Sequence, residues 1–352
     1  MITSDISKAI EICIELNIPF AAYALPGEED ITFYANPSTD DESHAHLDGR
    51  REFIVNYFNN DYPYIIGIAA EMTATEIIDN AEILKRKSAP EITPWSRDTD
   101  YMQYCSQVHH IVQSLRRRGG KTVLSRVITG EISPAWIEEL DMLFNLNKNT
   151  FRNIYFTRET GCWFGTTPEQ LFELGHNTDA FSTMSLAGTR LKSLHDEPWD
   201  KKNIDEHNFV TNYIISTLNG LGVNIDIGDA ETISYSSIEH LCHRITGNIS
   251  DVNIEKLLTT LSPTPAVAGF PKDRAIEDIE QYEVHPRYCY AGFIGASDSD
   301  GLHIYVNLRC AHTDGEHICI YGGGGLTAES DAQNEWLETD LKTRNMQSLI
   351  RK

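Results

Sequence analysis

The chain reads as a single α+β domain, largely antiparallel β-sheet packed with surrounding helices. Three observations carry this. Strand-like runs crowd the second half, at Cys289 to Gly295, Leu302 to Arg309 and His317 to Tyr321. Short polar turns such as Asp298 to Gly301 separate them, and turns that short join antiparallel neighbours, because parallel pairing needs a long crossover. Helical stretches fall between the strands without the regular alternation of a parallel fold.

In chain order, the first element spans residues 1–20, where Ile6, Ile10, Cys13 and Ile14 share one helical face. It has no basic start followed by an apolar block, so it is not expected to be a secretory signal. Pro37 to Arg51 is polar and reads as a loop. Lys87 to Asp98, with Pro90 and Pro94, is a second break. Met102, Cys105, Val108, Val112 and Leu115 then recur at helical spacing, and Gly119-Gly120 ends that helix. An apolar strand follows at Thr122 to Ile128. Further helices are expected at Glu206 to Leu221, Ile254 to Leu261, Lys272 to Gln281 and Ala328 to Met346. No convincing domain boundary is visible. Residues 1–95 read as a more peripheral part of one domain and residues 96–352 as its core.

The chain of 352 residues carries 52 Asp plus Glu against 29 Lys plus Arg, a net charge of -23. That excess opposes nucleic-acid binding, which needs a basic face to displace counterions, and docking on anionic membranes. An anionic substrate would therefore need local positive potential inside its site. The seven cysteines are scattered and form no Cys-x-x-Cys pair, so neither a disulfide framework nor a zinc site is expected. No apolar run approaches the ~20 residues that cross a bilayer, and a cytoplasmic protein is the expectation.

Four features bear on chemistry. Ser330 and Gln333 form a capping-box pattern at the last helix, in which Glu335, Glu338 and Lys342 project from one face. With the Asp205-Glu206-His207 cluster at the start of another helix, these carboxylates would suit Mg²⁺; a solvated, self-paired face is the plainer reading. Tyr321-Gly-Gly-Gly-Gly-Leu326 follows a strand without P-loop or dinucleotide-binding spacing. It reads either as backbone brought close to an anion or as a flexible loop. Lys121 opens an apolar strand, where burial would favour the neutral amine that a general base needs; an edge lysine that blocks aggregation is the alternative. Glu169 lies beside Trp163 and Phe164, surroundings that turn a carboxyl group into an acid, or it is an ordinary exposed glutamate.

The order of the motifs decides among these. Lys121 in KTVLSR, Glu169 in TPEQLF and Ser185-Leu-Ala-Gly-Thr-Arg190 come first. Glu206-His207, Glu239-His-Leu241 and the segment Leu261 to Lys272 (LSPTPAVAGFPK) follow. Tyr290-Ala-Gly292, Leu308-Arg-Cys-Ala311, the tetraglycine and Ser330 to Lys342 close the series. The succession, over residues 100–345, resembles the chorismate-utilising enzymes: anthranilate, aminodeoxychorismate, salicylate and isochorismate synthases. Members that use ammonia have Gln where Lys121 stands, so the resemblance implies water as nucleophile and no amidotransferase subunit. Ala187 stands where aminodeoxychorismate synthases carry a nucleophilic lysine. Thr264-Pro-Ala266 is most similar to isochorismate synthases, although Ser262 replaces a histidine common in the family.

The resemblance implies Lys121 as general base and Glu169 as general acid. It implies Glu206, Glu335 and Glu338 as Mg²⁺ ligands. Substrate contacts would come from Gly188, His240, Thr264, Ala266, Tyr290, Leu308, Arg309, Gly323, Gly324, Gly325 and Lys342. Arg309 would grip a carboxylate, His240 would donate a hydrogen bond to substrate, and Ala266, Val267 and Leu308 would shape the pocket. A monomer acting on chorismate alone is expected. The product would feed menaquinone, the reading taken, or a catechol siderophore. A salicylate synthase that also eliminates pyruvate is the nearest rival, and a non-catalytic chorismate sensor ranks below it.

Overall fold

The computed structural model describes residues 1–38, 43–176, 178–235, 238–249 and 252–351. Part of the loop expected from Pro37 to Arg51, residues 39–42, lies outside the described residues. Two antiparallel sheets form the body. The first runs Gly269–Phe270, Lys121–Glu131, His317–Leu326, Cys310–Thr313, Gly161–Thr167, Phe151–Thr157, Phe20–Ala24, Thr32–Ala35. The second runs Asn224–Ile227, Ile238–Asn248, Ala180–Leu191, Gln170–Gly175, Gly301–Val306, Phe293–Ser297, Glu52–Val55, Ile66–Ala69, Ser43–His44. Glu231–Tyr235 adds to the second sheet beside Ile238–Asn248. Strands from residues 1–95 thus join both sheets.

Side chains alternate across the first sheet, as strand geometry requires, and both of its faces are dry. Ala21, Tyr23, Phe151, Tyr155, Cys319 and Tyr321 belong to the larger core, together with Phe53, Phe172 and Ile304 of the second sheet. Phe20, Ala22, Ile154, Phe156, Ile318 and Ile320 belong to a second core under two helices. Those helices are Ser4–Leu16, which buries Ile6, Ala9, Ile10 and Cys13, and Trp136–Leu146, which buries Leu140 and Phe144. Among the described residues, no helix is long and apolar enough to cross a membrane.

Several expected elements shift. The tetraglycine is not a loop: the strand His317–Leu326 runs through it, pairing Gly322 to Gly325 with Arg126 to Val123. Helix Tyr101–Arg118 buries Tyr104, Gln107, Val108, Ile111, Val112 and Leu115, while Met102, assigned to that stripe, is exposed. Asp331, not Ser330, caps the last helix, Ala332–Gln347, through Asn334 N; Ser330 Oγ instead donates to Glu335, 2.7 Å away. Asp200 caps helix Lys201–Gly220, so Glu206 lies in its second turn rather than at its start. The strand expected from Cys289 begins only at Phe293, because Tyr288 and Ala291 adopt positive φ and turn the chain. Arg309, also at positive φ (47°), similarly lies beyond the end of strand Gly301–Val306.

Candidate active site

A cleft opens where the N-terminal half of Lys121–Glu131, the glycine strand and the second half of Ala180–Leu191 meet. Its wall includes Glu169, Gly188, Glu206, His240, Ala266, Tyr290, Leu308, Arg309, Gly323 and Lys342. Ten residues from nine separate motifs therefore converge on one space.

Lys121 is fully buried, with its Nζ 2.8 Å from Glu206 Oε1. The edge-lysine alternative fails, since the short strand Gly269–Phe270 pairs with Lys121 and Thr122 on the outer side. The nitrogen forms an ion pair, but no acceptor is angled to take one of its protons.

Glu169 is 4% exposed. Burial pushes its carboxyl group up to about 7, only partly opposed by the charges of Lys121 and Lys342. A carboxyl group that keeps its proton near neutral pH can serve as an acid. The burial arises because strand Gln170–Gly175 sits between Ala180–Leu191 and Gly301–Val306, which places Glu169 just inside the second sheet.

Arg309 lines the cavity from the turn between Gly301–Val306 and Cys310–Thr313. Burial lowers its guanidinium to about 10, leaving it charged. Among the described residues no carboxylate pairs with it, and such a buried, unpaired fork suits an incoming carboxylate. His240 accepts from Arg309 Nη2 through Nε2 at 3.3 Å. Burial, reinforced by Arg309 and Lys342, pushes its imidazole down to about 3, so it is neutral. Tyr290 stacks on Tyr321 at 5.2 Å beneath the glycine strand.

The glycines make room for these groups. A Cβ on Gly323 would fall 2.7 Å from the Tyr290 hydroxyl, one on Gly324 3.0 Å from Glu335 Oε2, and one on Gly325 2.6 Å from Lys121 Cε. Contacts under 3 Å force something to move, so in the glycine strand side chains from other elements fill the places that Cβ atoms would occupy.

Glu335 and Glu338 share a face of helix Ala332–Gln347 with Lys342, as the spacing required. Glu338 pairs with Lys342 at 2.8 Å, and Lys342 Nζ also donates to Gly323 O at 3.0 Å. Glu335 pairs with Lys202 at 2.7 Å. Burial, and then the charge of Glu338, raise the pKa of Glu335. Burial alone would raise Glu338 too, but Lys342 and Lys202 outweigh it and hold that carboxyl low. Glu335 Oε2 has no hydrogen-bond partner. Buried carboxylates that repel one another, with an unsatisfied oxygen, are the donor type that a hard divalent cation takes. Among the described residues, no three His, Cys, Asp or Glu side chains converge closely enough to hold an ion; lysines neutralise the glutamates instead. The fit to Mg²⁺ therefore rests on donor chemistry.

Some expected residues lie off the cavity wall. Thr264 is buried in a turn, its hydroxyl accepting from Ala266 N, and Lys121, Gly324, Gly325, Glu335 and Glu338 stand behind the wall. Sequence reasoning missed Val123, Leu186, Thr189 and Tyr321 as lining residues, although each lies inside a quoted motif. It also missed the buried Glu283–Arg287 pair. Arg287 donates to the carbonyls of Val123 and Val267 at 2.8 Å each, tying two parts of the wall together.

The chain is 29% identical over 217 residues to isochorismate synthase MenF of Haemophilus influenzae, which takes in 58% of this chain and 49% of that protein. It is 32% identical over 249 residues to isochorismate synthase DhbC of Bacillus subtilis, covering 64% of this chain and 62% of that protein. The chain thus spans about half the length of the first relative and under two thirds of the second. The solved structure of the menaquinone-specific isochorismate synthase MenF of Escherichia coli has the same fold. The TM-score is 0.76 at 20% identity, over 95% of this chain and 89% of that one. The family described as chorismate binding enzyme matches residues 50–351, the stretch that holds every motif and the whole cavity wall, and this chain belongs to that family.

Proposed function

We propose that the protein is a Mg²⁺-dependent isochorismate synthase, converting chorismate to isochorismate for menaquinone biosynthesis, with a catechol siderophore as the alternative destination. One observation carries the reading. Glu169, a buried carboxyl group raised to about 7, has Lys121 and Lys342 as its charged neighbours. An acid on the cavity wall thus has a candidate base directly behind that wall, the pairing that addition of one hydroxyl and loss of another calls for. The similarity to two isochorismate synthases supports the choice of substrate.

In this reading Lys121 takes a proton from water as the water oxygen bonds to C2 of the ring. Both conjugated ring double bonds shift, from C1=C2 and C5=C6 to C1=C6 and C4=C5, the C4–oxygen bond breaks, and Glu169 gives its proton to the departing hydroxyl, which leaves as water. Arg309 holds the enolpyruvyl carboxylate through its guanidinium fork, with Tyr290 and Lys342 beside it. Glu206, Glu335 and Glu338 would hold Mg²⁺, which when bound neutralises the ring carboxylate and fixes its orientation. The lysines now paired with these glutamates must then turn elsewhere.

The test is product analysis after incubation with chorismate, with and without Mg²⁺ and without ammonia. Isochorismate at a steady ratio with chorismate, formed only with Mg²⁺, is expected. Salicylate plus pyruvate would make it a salicylate synthase instead. Binding without turnover would make it a sensor.

A further inference from the structure

Strands Ala180–Leu191 and Ile238–Asn248 pair Ala187 with Leu241 and then Arg190 with Glu239. Gly188 and Thr189 together therefore oppose the single residue His240, which is a β-bulge, a device that re-aims side chains beside active sites. Gly188 has φ +73°, and a Cβ there would stand 3.0 Å from Asn203 O, so the bulge needs glycine. On its far side the ion pair of Arg190 with buried Glu239, 2.9 Å, pins the register.

The bulge turns the Gly188 carbonyl toward the imidazole, where it lies 2.9 Å from His240 Nδ1. Thr189 Oγ1 lies 3.3 Å from the same nitrogen. A carbonyl only accepts, so Nδ1 carries the proton, and in a neutral ring Nε2 is then an acceptor. Its partner is Arg309 Nη2 at 3.3 Å. The Tyr235 ring stands under the same guanidinium, 5.5 Å away.

We infer that His240 is a positioning residue: a neutral acceptor, its tautomer set by the Gly188–Thr189 bulge, that aims the Arg309 guanidinium at an incoming carboxylate. This replaces the expected role of donor to substrate. A neutral partner orients the fork without cancelling its charge, which a carboxylate in the same place would do. The inference takes the identity of the anion from the proposed function; the tautomer does not depend on it.

The first arm of the test uses the intact, ¹⁵N-labelled protein without ligand. Ring proton–nitrogen correlations at neutral pH, with His240 assigned by the signal lost in H240Q, are expected to show a protonated Nδ1 and a bare Nε2. A proton on Nε2, or on both nitrogens, overturns the inference. The second arm measures chorismate affinity and turnover for H240A, R309A and the double variant with Mg²⁺ present. H240A is expected to raise KM about tenfold with kcat changed far less, and to add little in the R309A background, since residues in contact couple by amounts of this size. Fully additive losses, or a loss confined to kcat, overturn it. If chorismate neither binds nor reacts, the functional proposal falls, and the tautomer still decides the inference.

Discussion

Lys121 Nζ stands 2.8 Å from Glu206 Oε1 with none of the lysine side chain open to solvent, and the bare backbone of Gly325 is what leaves room for the pair. A candidate base and a candidate metal ligand thus hold each other's charge. Either can be released only when something else takes over the partner.

Replacing Lys121 with Met keeps the volume and removes the amine. Turnover is expected to fall on the order of 10²–10⁴-fold, the usual worth of a general base. The fold should survive, because the substitution also removes a costly buried ammonium and Glu206 keeps some exposure. Steady-state kinetics beside a denaturant melt separates the two effects; turnover near wild type would remove Lys121 from the chemistry.

Glu169 must be protonated to act as an acid. Its carboxyl group is raised to about 7 by burial, so the limb of activity that depends on this acid is expected to decline as pH rises through that value. E169Q should lose about 10²–10⁴-fold in rate and lose that alkaline limb as well. Stability follows the same sign. The contribution of the neutral buried acid is fully present below the ordinary value of 4.5 and is lost as pH rises through about 7. Thermal melts of wild type and E169Q should therefore diverge across that window.

E338Q removes a charge from the helix face that also carries Glu335 and Lys342. It is expected to weaken the Mg²⁺ dependence and the chorismate affinity together. Relieved of Glu338, Glu335 should also titrate lower, since that charge now raises it. A Mg²⁺ activation curve that superimposes on wild type would refute the assignment.

G325A adds one methyl group where Lys121 Cε would be 2.6 Å away. Overpacking of this kind costs about 1–3 kcal/mol, measurable by chemical denaturation. Turnover should drop further than stability, because the methyl group pushes apart Lys121 and Glu206. An unchanged kcat would mean that their spacing does not matter.

The buried charges were more legible than the backbone geometry. Lys121, Glu169 and Arg309 stand out because each is a charged residue inside an apolar motif, where burial shows in the neighbouring residues. The glycine strand was opaque for the opposite reason. Glycine has low strand propensity and no side chain to alternate, so nothing local marks Gly322 to Gly325 as a ladder paired with Arg126 to Val123. Asp331 and Ser330 are both good caps one residue apart, and only the Glu335 carboxylate, which takes the Ser330 hydroxyl, decides between them. Similarly, the bond from Arg287 to the Val123 carbonyl joins positions 164 apart in sequence, beyond the reach of local patterns.

The cations that face this cavity, Arg309 and Lys342, and Lys121 behind its wall are enclosed in a chain whose net charge is -23. A dianion in solution meets the outer field first and is repelled; attraction begins only within the cleft. Mobile ions weaken interactions beyond about 10 Å at 0.1 M ionic strength and reach the interior far less. Added salt should therefore speed the arrival of chorismate while leaving its departure nearly unchanged, the reverse of the electrostatic steering that slows with ionic strength in enzymes whose surface charge opposes that of their substrate.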